Sequence, residues 1–198
     1  MGKTVMGAVV SLDGFIADDN DNVGPLFDWY SNGDVTWAFE GTDLEVRITQ
    51  ASADFMRSHY RDVAAVVIGR RLFDLTNGWN GKPAAGEHVF VVTHQPPTDW
   101  EHADTAPFTF LDSVEKAIAA ATEFAGDRSV NVAAGQIGSQ ALTLGLIDQV
   151  IVNVVSVVFG SGRPFFATGG LAEPLLLENP TTIVSGDRVT HLAYDISR

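Results

Sequence analysis

Six stretches of this chain are apolar nearly throughout and rich in β-branched residues: "TVMGAVV", "VAAVVIG", "HVFVVT", "FTFL", "VNVAA" and "VIVNVVSVV". Gly, Pro, Asp or Asn stands close to the ends of each. A strand with one wet face alternates in polarity, whereas a strand without a polar face must be covered on both sides. Most of the runs lead into a helical pattern. The expected architecture is therefore α/β, in three layers, with a mixed, mostly parallel sheet flanked by helices.

The helices have readable ends. In "DSVEKAIAAATEFAGD", Asp112 is the expected N-cap, with Glu115 three residues on, and Gly126 is the stop. "GSQALTLGLID" ends at Gly145, and a further helix is expected over residues 48–60. The close of the chain, "TTIVSGDRVTHLAYDI", alternates on either side of Ser185, Gly186 and Asp187. It predicts an antiparallel C-terminal hairpin at the sheet edge. A length of 198 residues suits one domain, spanning 1–198. Residues 11–42 lack sustained periodicity yet carry Phe15, Phe27, Trp29, Tyr30, Trp37 and Phe39. A stretch so long and aromatic is expected to be a lid or pocket wall, with packing over the core as the ordinary alternative.

Charge excludes whole classes of partner. The formal net charge of −13 repels nucleic acid and anionic membranes, so an anionic ligand needs a local basic spot. Arg70 and Arg71 are the only adjacent pair of cationic residues. The absence of cysteine removes disulfides and thiolate chemistry and fits a reducing compartment. No run has the length of a secretory signal core or a membrane span, so the cytoplasm is the expected location. "DDNDNVG" resembles a calcium loop, but Gly24 comes one position late and Trp29 stands where the bidentate Glu belongs. The five histidines do not pair at metal-ligand spacing, and no metal site is expected. Neither a P-loop nor a G-x-S-x-G elbow is present.

Chemistry gathers at the ends of the apolar runs. "NVAAGQIGSQAL" takes a strand into a helix through Ala134, Gly135 and Gly138, small residues beside unpaired helix-start N–H groups that suit an anion. A Rossmann fingerprint requires an acidic residue at the end of the following strand, and "QVIVNVVSVVFG" has none. "VVIGRRLF" repeats the strand-to-helix turn at Gly69 with two cations. "VFVVTH" ends in Thr93 and His94. Three such ends in turn point to a site along the carboxyl edge of the sheet, with a small molecule as the partner.

Taken in order, "SLDGFIAD", "GRRLF", "VVTH", "AAGQIGSQAL" and "GLIDQVIVNVVSVVFGSGRPFF" resemble the dihydrofolate-reductase-like superfamily. The nearer likeness is to the reductase domain of the bifunctional riboflavin-biosynthesis deaminase-reductase and its stand-alone relatives. The resemblance implies a reductase that uses NADPH, is often homodimeric, and acts on a small nitrogen heterocycle of pterin or ribosylated-pyrimidine type. The alternative is a nucleotide- or ligand-binding protein on the same fold without turnover. Carried over, Arg70 or Arg71 takes the 2′-phosphate with Thr93 and His94, residues 134–138 cradle the pyrophosphate, and backbone at Val9, Ile16 and Ala17 holds the nicotinamide carboxamide. Asp13 in "SLDG" and Asp54 on the helix before "GRRLF" are the candidate proton donors. Leu72 stands where the family commonly has threonine, Ser156 where it often has proline, and Ala134 where it often has glycine. Alanine takes positive φ poorly, so the methyl group of Ala134 is expected to crowd the phosphate turn.

Overall fold

The computed structural model describes residues 2–39, 44–167, 171 and 173–197. Its elements are β1 (Thr4–Ser11), β2 (Phe15–Ala17), a 3-10 helix (Gly24–Ser31), β3 (Val35–Ala38), β4 (Glu45–Ile48), α1 (Gln50–Tyr60), β5 (Val63–Gly69), α2 (Arg70–Asn80), β6 (His88–Val92) and β7 (Phe108–Leu111). There follow α3 (Val114–Ala125), β8 (Ser129–Ala133), α4 (Gln136–Thr143), β9 (Gln149–Val155), β10 (Arg163–Pro164), β11 (Thr182–Ser185) and β12 (Val189–Asp195). Every apolar run of the sequence is a strand. They join in one eight-stranded sheet of order β11-β12-β9-β1-β8-β5-β6-β7. The six strands from β9 to β7 are parallel, and β12 and β11 add an antiparallel edge, as the pattern predicted.

Period-2 alternation divides β1 between two helical layers: Met6 and Val10 face α3 and α4, while Val5 and Val9 face α1. The first layer packs Ala117, Ile118 and Ala121 of α3 and Leu142 of α4 onto β5, β8 and β9. On the opposite face α1 covers β1, β9 and β12, and Phe73 of α2 joins Trp100 over β5 and β6. The Thr49 hydroxyl caps α1, accepting from the Ser52 N–H at 3.2 Å. α3 is capped by Ser113, which accepts from the Lys116 N–H at 3.2 Å, and not by Asp112. The Asp112 carboxylate is engaged instead by the Lys116 ammonium, 2.8 Å away.

The aromatic stretch divides in two, and its last residues, 40–42, lie outside the described ones. Leu26, Trp29 and Tyr30 fall at helical spacing with Pro25 opening the turn, so the 3-10 helix lays a stripe onto the α1 layer. Trp29 and Leu26 are fully buried. This middle part is core packing, which corrects the lid expectation; only residues 11–22 border the carboxyl rim.

Beneath Trp29 lies a polar chain sealed from solvent. The neutral His191 ring donates from Nδ1 to Asn153 Oδ1 at 2.7 Å and accepts at Nε2 from the Ser52 hydroxyl at 2.9 Å. Asn153 Nδ2 donates to the Tyr60 hydroxyl at 3.3 Å. Both ring nitrogens are satisfied, which is the condition for burying such a group. Burial and the neighbouring His59 lower the His191 pKa to about 4.

Candidate functional site

In the sheet, β1, β8, β5 and β6 are successive neighbours, so the segments that follow them share one rim. β8 is short. It pairs with β1 only as far as Gly7↔Ala133, while β1 continues beside β9 to Ser11↔Val155. On its other side β8 pairs with β5 to Val67↔Val132, two residues short of Gly69. The result is a notch in the rim, floored by the turn into α4 and walled by the longer β1 and β5.

The floor is built for close approach. Gly135 takes φ +84°, ψ −140°, and its N–H donates to the Phe165 carbonyl at 2.8 Å. That conformation needs glycine. Ala134 does not have positive φ, so the expected strain at the alanine is absent. The N–H groups of Gln136, Ile137 and Gly138 open α4 and have no partner within the helix. A Cβ on Gly138 would stand 2.7 Å from the Ala133 carbonyl oxygen and 2.9 Å from Met6, so the helix start rests directly on the strand. The start of α2 touches it, since a Cβ on Gly69 would meet the Ile137 side chain at 2.9 Å. Two helix N-termini, with their unpaired N–H groups and positive dipole ends, therefore lie side by side at the rim.

The two arginines diverge from there. Arg70 leans toward β6: its Nε donates to Asp74 at 2.7 Å and its Nη1 to the Gln95 carbonyl, in the turn where the Thr93 hydroxyl accepts from the Gln95 N–H at 3.2 Å. His94 is exposed beside them. Arg71 reaches the other way, across the end of β8, to the Asp21 carboxylate. Asp21 also accepts from Arg163 Nε at 2.8 Å, and its side chain is only 11% exposed. The Arg71 and Arg163 guanidinium groups hold its pKa far below the usual carboxylate range. Sequence spacing did not single out Asp21 or Arg163. The only signal was negative, an acidic loop that fails as a calcium site.

Of the nicotinamide-side candidates, Ile16 lies over the turn, with its Cδ1 3.4 Å from where a Gly135 Cβ would be. Ala17 is buried in the β2–β10 ribbon, opposite Arg163. Val9 is in the part of β1 that extends past β8, with its side chain turned into the α1 layer.

The proposed acids are set differently. Asp13 is on the rim, but its carboxylate accepts from the Ser11 hydroxyl at 2.6 Å and from the N–H groups of Gly160, at 2.6 Å, and Phe159, at 3.1 Å. These bonds, led by the Ser11 hydroxyl, lower its pKa and favour the anion. A group so held ties the 11–14 loop to the 157–160 loop and is a poor proton donor. Asp54 is on the exposed face of α1, bonded to Arg57 at 2.7 Å and Gln50 at 2.9 Å on its own helix. Neither partner belongs to the rim. Among the described residues, no three His, Asp or Glu side chains gather as a metal site, and no helix is long and apolar enough to cross a membrane.

No family model matches the chain, and no curated protein matches it in sequence. Solved structures do. A Shewanella sp. PV-4 protein with a provisional riboflavin-biosynthesis name is 21% identical over 99% of both chains, with a TM-score of 0.68. A diaminohydroxyphosphoribosylaminopyrimidine deaminase/5-amino-6-(5-phosphoribosylamino)uracil reductase from Thermotoga maritima is 16% identical, with a TM-score of 0.61. The match covers 99% of this chain but 57% of that longer one. Dihydrofolate reductase from Enterococcus faecalis, solved with NADP(H), is 13% identical over 100% of this chain and 98% of its own, with a TM-score of 0.59. At these identities the likeness is one of fold.

Proposed function

On its dihydrofolate-reductase-like fold, we propose that this chain is an NADPH-dependent reductase acting on a small nitrogen heterocycle of pterin or ribosylated-pyrimidine type. The observation that carries the reading is the notch above β8, where two helix N-termini meet between two arginines. A phosphorylated dinucleotide fits that chemistry. Arg70, beside Thr93 and His94, is assigned to the 2′-phosphate, because it alone leans to the β6 end. Arg71 and the first N–H groups of α4, from Gln136 to Gly138 past Ala134 and Gly135, are assigned to the pyrophosphate. Backbone at Val9, Ile16 and Ala17 would hold the carboxamide. The bound nicotinamide would supply the hydride. The chain itself contributes positioning, which accounts for much of the rate when two reactants are held in line. Asp13 acts in this reading as a positioning residue that fixes the loop over the notch. The reading includes a homodimer, joined through the edge strand β11.

A second reading is favoured by the state of the two carboxyl groups. With Asp13 held as an anion and Asp54 turned to solvent, neither is poised to protonate an acceptor, so a binding protein without turnover fits the same notch. Two experiments separate the possibilities. Titration should give tighter binding of NADPH than NADH, and Arg70→Ala should cost about 1.5–3 kcal/mol for NADPH with little effect on NADH. Arg71→Ala should weaken both. Equal affinity for the two coenzymes would reject the Arg70 assignment. NADPH oxidation with dihydrofolate, pterins and riboflavin-pathway pyrimidines then tests turnover, and tight binding without oxidation would favour the second reading.

A further inference from the structure

The opposite rim of the sheet holds a second cavity, of about 260 Å³. It lies where α1 ends and β5 begins, and its walls include Trp37, Phe39, Arg57, Tyr60, Arg61 and Gly86. Since β5 is seven residues long, at about 3.3 Å per residue the cavity is roughly 20 Å from the notch. It shares no residue with the notch.

The lining is unusual for this chain. Acidic residues outnumber basic ones by 25 to 12, yet two guanidinium groups meet at this cavity and, among the described residues, no carboxylate lines it. Arg57 is shared with Asp54 on the helix surface, at 2.7 Å. Arg61 makes no hydrogen bond or ion pair with any described residue. The Trp37 ring forms part of the wall.

We propose that this cavity is a second ligand site, for a small aromatic carboxylate. The rings of Trp37, Phe39 and Tyr60 suit a planar apolar body. A guanidinium fork matches a carboxylate in two parallel hydrogen bonds. The volume is below the roughly 300–1,000 Å³ of sites for drug-sized ligands, which limits the occupant to about one substituted ring. The proposal does not depend on the coenzyme assignment at the other rim.

The test is titration of the intact protein with benzoate and with neutral benzamide, followed through the Trp37 indole N–H resonance, which Trp37→Phe identifies. Benzoate should shift that resonance saturably and bind at least about tenfold more tightly than benzamide. Arg61→Ala should weaken benzoate by about tenfold or more and leave the unfolding temperature and NADPH affinity unchanged. A Trp37 resonance that stays still at about 10 mM benzoate, equal binding of the two probes, or an Arg61→Ala protein that binds benzoate as before would overturn the proposal.

Discussion

His191 shows what a single buried base does to the pH response. The unfolded chain protonates its imidazole near pH 6.5, whereas the folded chain resists until about pH 4. Between these values the unfolded state binds more protons, so stability rises with pH across that window and is level above it as far as this group is concerned. The expected contribution, on the order of 3 kcal/mol, is present at neutral pH and lost on acidification. Urea midpoints measured from pH 4 to 7 should show this slope, and His191→Gln should flatten it. A second residue-level expectation concerns Asp21. Asp21→Asn removes the negative charge that engages Arg71, so NADPH should bind more tightly, by up to about fivefold, as read by fluorescence titration. Neither residue was singled out from the sequence. Asp21 is 50 positions from Arg71 and 142 from Arg163, and His191 is 139 from Ser52. Contacts of that span leave no local periodicity to read. Arg70, Arg71 and the 134–138 turn were visible because strand, small residue and cation follow one another in the chain.

Elements were more legible, with instructive exceptions. The six parallel strands lie where apolar, β-branched runs lie, because burial on both faces leaves no other composition, whereas the short β2, β3, β4 and β10 have no such run to mark them. The cap of α3 is one residue off because Asp112 and Ser113 are both good N-caps, and only the Lys116 side chain decides which is free to cap. α2 is the larger departure. After Thr76, the residues from Asn77 to Gly81 all take left-handed backbone, Trp79 included, at φ +47°. Such a conformation costs a non-glycine residue about 1–2 kcal/mol, so no propensity argument would have predicted it. Packing holds it in place: Gly78 is buried, and a Cβ there would be 2.7 Å from Trp100 and 2.9 Å from Phe73. Gly78→Ala combines backbone strain with overpacking and should destabilise the protein by about 2–4 kcal/mol, measurable as a lowered urea midpoint.

At the scale of the whole molecule, the three layers and the mixed sheet were readable, since they follow from which strands lack a wet face. The site was readable as a rim but not as a notch, because the short pairing of β8 depends on its neighbours' lengths. The sheet also ends in a strand that sequence alone could not show to be open. β11 is the edge, its Ile183 is 64% exposed, and Leu176 in the segment before it is 95% exposed. Exposed apolar edges invite pairing with another chain. Sedimentation should show a dimer, and Leu176→Glu with Ile183→Lys should give a folded monomer. The ion cluster at the notch, near the middle of the sheet, has a different consequence. Two guanidinium groups share one tethered acid, so a phosphate arriving there exchanges with an internal competitor instead of meeting bare positive charge. Its measured affinity is then the margin by which a mobile anion exceeds one that the chain carries with it. Selectivity among anionic ligands at the notch would be set by that resident carboxylate as much as by the arginines.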